Sequence, residues 1–136
     1  MGEAAKIKTV CGYCGTGCGL TVEVEDNKII RIRGDKDAPV NKGQTCVKGS
    51  FAYEYVHAKS RLTAPLIRKA GQLVETTWEE AYNFIIEKLT KIKAEFGPEA
   101  ITAFATARST NEVNYVTQKF MRAAIGSNNI DGCNRT

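Results

Sequence analysis

Cys11, Cys14 and Cys18 crowd into the run CGYCGTGCG, and Cys46 follows after 27 intervening residues in the segment TCVKG. Thiolates are soft ligands, and three from one tight loop with a fourth from a second loop make a four-ligand metal site. The gaps of two and then three residues, with Gly12, Gly15, Gly17 and Gly19 around them, let the backbone curl about something larger than one ion. That pattern favours a 4Fe-4S cluster. Structural zinc also accepts four cysteines, usually as a pair of CxxC knuckles, and on spacing alone it stays open as the alternative. A disulfide-stapled protein is the weaker reading, because Cys133 makes the count odd and no apolar secretory core precedes the cysteines. The loop glycines are expected to point N–H groups at cluster and cysteine sulfur, which raises a cluster's reduction potential.

Two further residues near the cysteines carry possible chemistry. Lys48 stands two residues past the fourth cysteine, where a cation would stabilise a reduced, more negative cluster and could bridge it to a second redox group. An exposed surface lysine accounts for the same pattern. His57 is the sole histidine, flanked by Val56 and Ala58, and reads as a packing or hydrogen-bonding residue because four thiols already fill the metal site.

The elements that must position these residues follow from periodicity. Residues 1–8 read as a loose lead-in to a short strand at Thr9 and Val10. In LTVEVEDNKIIRIRG, Leu20, Val22 and Val24 alternate with polar residues, Asp26 and Asn27 supply a turn, and Ile30 and Ile32 alternate with Arg31 and Arg33. This predicts a hairpin with one apolar face able to cover the cluster. GDKDAPVNKG reads as a loop that brings Cys46 back, and Ser50–Tyr55 as a short helix. Gly71 and Gln72 are expected to turn a small hairpin between Leu66-Ile67 and Leu73-Val74.

Thr77, with Glu80 three residues on, forms a capping box that opens a helix, and Gly97-Pro98 closes it. Trp78, Tyr82, Ile85, Leu89, Ile92 and Phe96 stripe one face of that helix and are expected to be core. ITAFA, residues 101–105, reads as a strand. Ser109 is expected to cap a second helix striped by Val113, Val116, Phe120 and Ala124 and ending at Gly126. Helix, strand, helix is the opening of an α/β unit, which needs more parallel strands to bury it. Thr106, Arg108, Ser109, Asn111 and Asn114 fall at or after the carboxyl end of the candidate strand, the edge where α/β folds bind ligands. Capping and surface exposure explain these residues equally well.

The 136 residues carry a net charge of +4, split as +2 in residues 1–60 and +2 in residues 61–136, so no basic arm points to nucleic acid. No apolar run is long enough for a transmembrane helix, and neither an apolar signal core nor an arginine pair opens the chain, which together predict a cytoplasmic protein.

Three stretches, VCGYCGTGCGLTVEVEDNKIIRIRGD, NKGQTCVKG and NEVNYVTQKFMRAAIGSNNIDGCNR, resemble the N-terminal part of the catalytic subunit of molybdenum or tungsten bis-pyranopterin guanine dinucleotide enzymes, most closely formate dehydrogenase. Nitrate reductase and formylmethanofuran dehydrogenase relatives are the family alternatives. A free-standing small iron-sulfur electron-transfer protein is the alternative outside it. The resemblance covers essentially the whole chain but about the first fifth of a typical family member.

It implies a small, mostly β iron-sulfur domain at residues 1–60, followed by the beginning of a larger α/β domain of the molybdopterin oxidoreductase type at residues 61–136. By the resemblance, Cys11, Cys14, Cys18 and Cys46 ligate one 4Fe-4S cluster, and Lys48 relays electrons between that cluster and the nearer pterin. Arg108, Asn111 and Asn114 lie near the metal-pterin cofactor, and Cys133 is not a cluster ligand. Formate and CO2 are the implied substrates. The implied partners are the remainder of the catalytic subunit and an electron-transfer iron-sulfur subunit, linked to hydrogenase, NAD(P) or F420. In formate-oxidising members a selenocysteine or cysteine metal ligand follows the position of Thr136. This carries the expectation that the sequence stops at a selenocysteine codon.

Overall fold

The first strand starts well before Thr9 and Val10. In a computed structural model that describes residues 4–132, β1 (Ala5–Val10) pairs antiparallel with β2 (Gly19–Glu25), from Ala5 opposite Val24 to Val10 opposite Gly19. Every residue of β1 is exposed, so the backbone ladder to β2, and not burial, makes residues 5–8 a strand where a loose lead-in was expected. Cys133 and Thr136, and the expectations attached to them, lie outside the described residues.

β3 (Lys28–Gly34) completes a three-stranded sheet in the order β1-β2-β3. Asp26 and Asn27 turn the β2-β3 hairpin with φ of 47° and 59°, the left-handed pair that a two-residue hairpin loop requires. Val22 faces Ile32 and Val24 faces Ile29, with a register shift at Glu23/Val24. Ile30 is therefore the extra residue of a bulge. Ile29 takes the half-buried place expected of Ile30, which is left exposed. The Ile29 N–H donates to His57 Nε2 at 3.0 Å, so the histidine satisfies backbone at the bulge. Leu20 and Val22 are the buried residues of the sheet's inner face.

Residues 35–45 fold back along this sheet. The Asn41 amide clasps Gly19, accepting from its N–H at 2.8 Å and donating to its carbonyl at 3.0 Å, and also donates to Gln44 O at 2.5 Å. Gly34 is where the returning loop comes closest, since a Cβ there would meet the Gly43 carbonyl oxygen at 2.3 Å and its carbon at 2.5 Å. Backbone atoms cannot rotate away, so Gly34→Ala should destabilise the protein by about 3 kcal/mol in urea unfolding. Gly12→Ala, which meets nothing within 4 Å, should change stability by less than about 0.5 kcal/mol. Cys46 then precedes α1 (Val47–Phe51), and a 3-10 turn covers Ala52–His57.

The described chain forms two compact units, one of residues up to 61 together with 106–115, the other of residues 62–105 and 116–132. In the second, β4 (Leu66–Lys69) and β5 (Gln72–Glu75) make a hairpin turned by Ala70 and Gly71, one residue earlier than expected, because these two take positive φ of 49° and 84°. α2 (Trp78–Phe96) begins at Thr77, whose hydroxyl accepts from the Glu80 N–H at 3.1 Å, and stops at Gly97. Its expected core stripe is mostly surface: Trp78 is 63% and Phe96 65% exposed, and only Leu89 packs against the buried cluster of Ile101, Met121 and Ile125.

β6 (Ala103–Ala105) pairs in parallel with β7 (Ile130–Gly132), so the expected α/β opening is a β-α-β unit around α3 (Asn111–Phe120) and a π turn at Met121–Ile125. The expected stripe on α3 is exposed as well. Its covered face runs through Asn114, Thr117, Met121 and Ile125, a 3.6-residue period whose first two members are polar and so escape a hydrophobic reading. No helix among the described residues is long and apolar enough to cross a membrane.

Candidate metal centre

The cysteine loop is the wide end of the β1-β2 hairpin. One step beyond Val10 opposite Gly19, the Cys11 N–H donates to the Cys18 carbonyl at 2.8 Å and closes the neck, leaving Cys14 at the bend. Cys46 arrives from the other side, tied to α1 where Ser50 N–H donates to its carbonyl at 3.1 Å. Asn41 holds the returning loop to Gly19, one residue past Cys18.

All four sulfurs are free thiols, and all four belong to the first unit. Burial pushes the Cys18 thiol up, and the charges of Cys11, Cys14 and Cys46 push it further. Among the described residues no three His, Cys, Asp or Glu side chains converge on a single ion. Four free thiols in one unit, three of them on a single loop, are the donor set that a 4Fe-4S group takes, so the residues fit it.

The other thiols shift down. Thr16 holds Cys14 below its ordinary range, first through its hydroxyl, whose Oγ1 lies 3.3 Å from Cys14 Sγ, and next through its backbone N–H; Lys48 adds a smaller electrostatic pull. Cys46 is lowered chiefly by the Gly49 N–H, then by the N–H and the charge of Lys48. The backbone N–H groups that lower these two thiols are those of Thr16, Lys48 and Gly49. Of the glycines expected in that role, Gly19 is diverted, because Asn41 takes its N–H. In the metal-free chain at pH 7.5, iodoacetamide should label Cys46 at least about fivefold faster than Cys18, read by peptide mass spectrometry.

Lys48 sits with its ammonium 5.3 Å from the centroid of the Tyr13 ring, and its charge reaches both Cys14 and Cys46. Beside it, a cleft of about 210 Å³ is lined by Cys11, Leu20, Val22, Ile32 and Tyr53, so the sheet's apolar face borders Cys11. Tyr13, Thr16 and Asn41 escaped sequence reasoning. The run CGYCGTGCG displayed the first two, but nothing local marks which side chain a distant lysine or a sulfur will meet.

The polar residues after β6 lie in the same unit as the cysteines. Arg108 is exposed, with its N–H on Thr106 Oγ1 at 3.1 Å. Asn114 donates to Thr106 O at 3.1 Å and accepts from Ser109 Oγ at 3.2 Å. Ser109 does not cap α3; Thr110 does, its hydroxyl accepting from Val113 N–H at 3.4 Å, because Ser109 Oγ turns back to Thr106 O at 3.0 Å. Asn111 reaches the cysteine loop, donating from Nδ2 to Gly15 O at 2.9 Å.

Residues 4–58 match the Molybdopterin oxidoreductase Fe4S4 domain and residues 61–136 match Molybdopterin oxidoreductase. The chain is 44% identical over 135 residues to the F420-dependent formate dehydrogenase 2 subunit alpha of Methanococcus maripaludis, covering 99% of this chain and 19% of that protein. It is 44% identical over 130 residues to a Staphylococcus aureus protein that bears the provisional name formate dehydrogenase, covering 96% of this chain and 13% of that protein. Among solved structures, acetylene hydratase from Pelobacter acetylenicus superposes with a TM-score of 0.73 at 26% identity, over 92% of this chain and 18% of that one. The chain thus spans a fifth or less of each of these relatives.

Proposed function

The chain belongs to the molybdopterin oxidoreductase family, with the family's Fe4S4 domain at residues 4–58, and on that premise we propose that it is the cluster-bearing opening segment of a formate dehydrogenase catalytic subunit that interconverts formate and CO2. The observation that carries this reading is 44% identity sustained over 99% of the chain with a formate dehydrogenase alpha subunit. The fold alone does not choose the reaction, since a hydratase shares it, and the lower identity of that neighbour ranks hydration second.

In this reading Cys11, Cys14, Cys18 and Cys46 hold the 4Fe-4S cluster, and the molybdenum or tungsten pterin is held largely by the rest of the subunit. The bound groups supply one-electron transfer and two-electron substrate chemistry respectively. The chain's own residues tune the path. The N–H groups of Thr16, Gly49 and Lys48 and the Lys48 ammonium favour negative charge on the Cys14 and Cys46 sulfurs, which supports reading Lys48 as the electron relay toward the pterin. Arg108 offers a cation after β6 to the cofactor's anionic groups.

A partner iron-sulfur subunit, linked to F420, NAD(P) or hydrogenase, takes the electrons. A cytoplasmic location is part of this reading. The test is formate-dependent viologen reduction by the native enzyme containing this chain, with iron assay and electron paramagnetic resonance of the formate-reduced protein. A reduced-cluster signal is expected. Acetylene hydration without dye reduction, or a cluster protein lacking pterin, would overturn the assignment.

A further inference from the structure

We propose that Asn111 is a positioning residue of the cluster, orienting the Gly15–Thr16 peptide so that its N–H serves the Cys14 sulfur. The proposal rests on the reading of Cys14 as a cluster ligand. Asn111, at the start of α3, is separated from Gly15 by 96 positions in sequence, yet its Nδ2 donates to Gly15 O at 2.9 Å. That carbonyl and the Thr16 N–H belong to one planar trans peptide and point in opposite directions. Fixing the oxygen therefore aims the hydrogen.

The hydrogen has a sulfur beside it, since Thr16 lies against Cys14 with its Oγ1 3.3 Å from Cys14 Sγ, and the Thr16 N–H contributes to holding that thiol below its ordinary range. A bond accepted at the carbonyl also polarises the peptide and strengthens its N–H as a donor. Asn111 lies close enough that a Cβ on Gly15 would come within 2.6 Å of its Oδ1, so any side chain at Gly15 presses on this latch. Ser109, Asn114 and Thr106 bind one another within residues 106–115 and hold the turn from which Asn111 extends.

Hydrogen bonds to cluster sulfur raise the reduction potential, so loosening this one should lower it. The experiment is a redox titration of the full catalytic subunit with its cluster, followed by electron paramagnetic resonance, on wild type, Asn111→Leu and Gly15→Ala. Leucine keeps the size of asparagine and removes the donor, whereas alanine at position 15 displaces an unaltered Asn111. Both should lower the reduced-to-oxidised ratio at fixed solution potential about three- to tenfold, tenfold being 59 mV for one electron.

Asn111→Leu should also release iron to a chelator about five- to tenfold faster. Asn111→Gln, which retains the amide, should recover part of both effects. The shift caused by Asn111→Leu should persist in a Thr16→Ala background, where the hydroxyl is gone but the N–H remains. If Asn111→Leu does not accumulate, Asn111→Ser, too short to reach, gives the same measurement. Unchanged potential and iron loss in these variants would overturn the role of Asn111, as would a shift that vanishes with Thr16→Ala. A wild-type subunit with no cluster signal would instead overturn the proposed function.

Discussion

Cys46→Ser is expected to cut bound iron from about four per chain to well under one, and to abolish formate-driven dye reduction, while leaving the fold intact. Serine offers a hard oxygen in place of a soft thiolate, and its hydroxyl stays protonated near neutral pH, so it is a poor fourth ligand. The three-stranded sheet, the Asn41 clasp on Gly19 and the turn into α1 use backbone and Asn41 atoms and not the Cys46 sulfur. Iron assay, visible absorption and far-ultraviolet circular dichroism on the same sample separate loss of the cluster from loss of the fold. Cys133→Ser should keep its iron, because the resemblance puts Cys133 outside the ligand set. Full iron occupancy in Cys46→Ser would remove Cys46 from that set.

Lys48→Ala is expected to keep the cluster but to lower its reduction potential by on the order of 100 mV and slow formate-to-dye electron transfer on the order of a hundredfold. The electrostatic part has a size. Unit charges about 6 Å apart at an effective dielectric of about 20 interact by about 3 kcal/mol, and about 1.4 kcal/mol corresponds to 59 mV for one electron. The ammonium acts on Cys14 and Cys46 from its seat over Tyr13, so its loss falls on the reduced, more negative state. Iron content and the KM for formate should stay at wild-type values while kcat falls, a split that a packing defect would not give. Lys48→Arg restores a cation of different shape and should recover most of the potential. An unchanged potential and kcat in Lys48→Ala would reduce Lys48 to a surface residue.

The chemistry was legible in the chain because ligand type and short spacing are local properties. Cys11, Cys14 and Cys18 share one loop wherever that loop is placed, and the turn at Asp26-Asn27 and the cap at Thr77 are likewise written within a few residues. Periodicity found the α2 and α3 helices but misjudged their faces. On α2 it selected Trp78 and Phe96, which are exposed, and on α3 it passed over Asn114 and Thr117, whose polar side chains lie on the covered face. A hydrophobic stripe records which surfaces avoid water; it does not identify the neighbour that covers them.

By itself, then, the sequence determined the family, the order of β-rich and α/β segments, and four cysteines whose type and spacing suit a cluster, because each is carried by residue identity and near-neighbour spacing. Only the tertiary structure decided which side chains tune and brace those cysteines. The bulge that exchanges Ile29 for Ile30, the seat of Lys48 over Tyr13, the Asn41 clasp on Gly19 and the reach of Asn111 to Gly15 depend on register and on contacts between segments 22 to 96 positions apart, as in the last two. Such contacts form when backbone groups must be satisfied wherever chain closure brings them together, and no local pattern encodes that meeting.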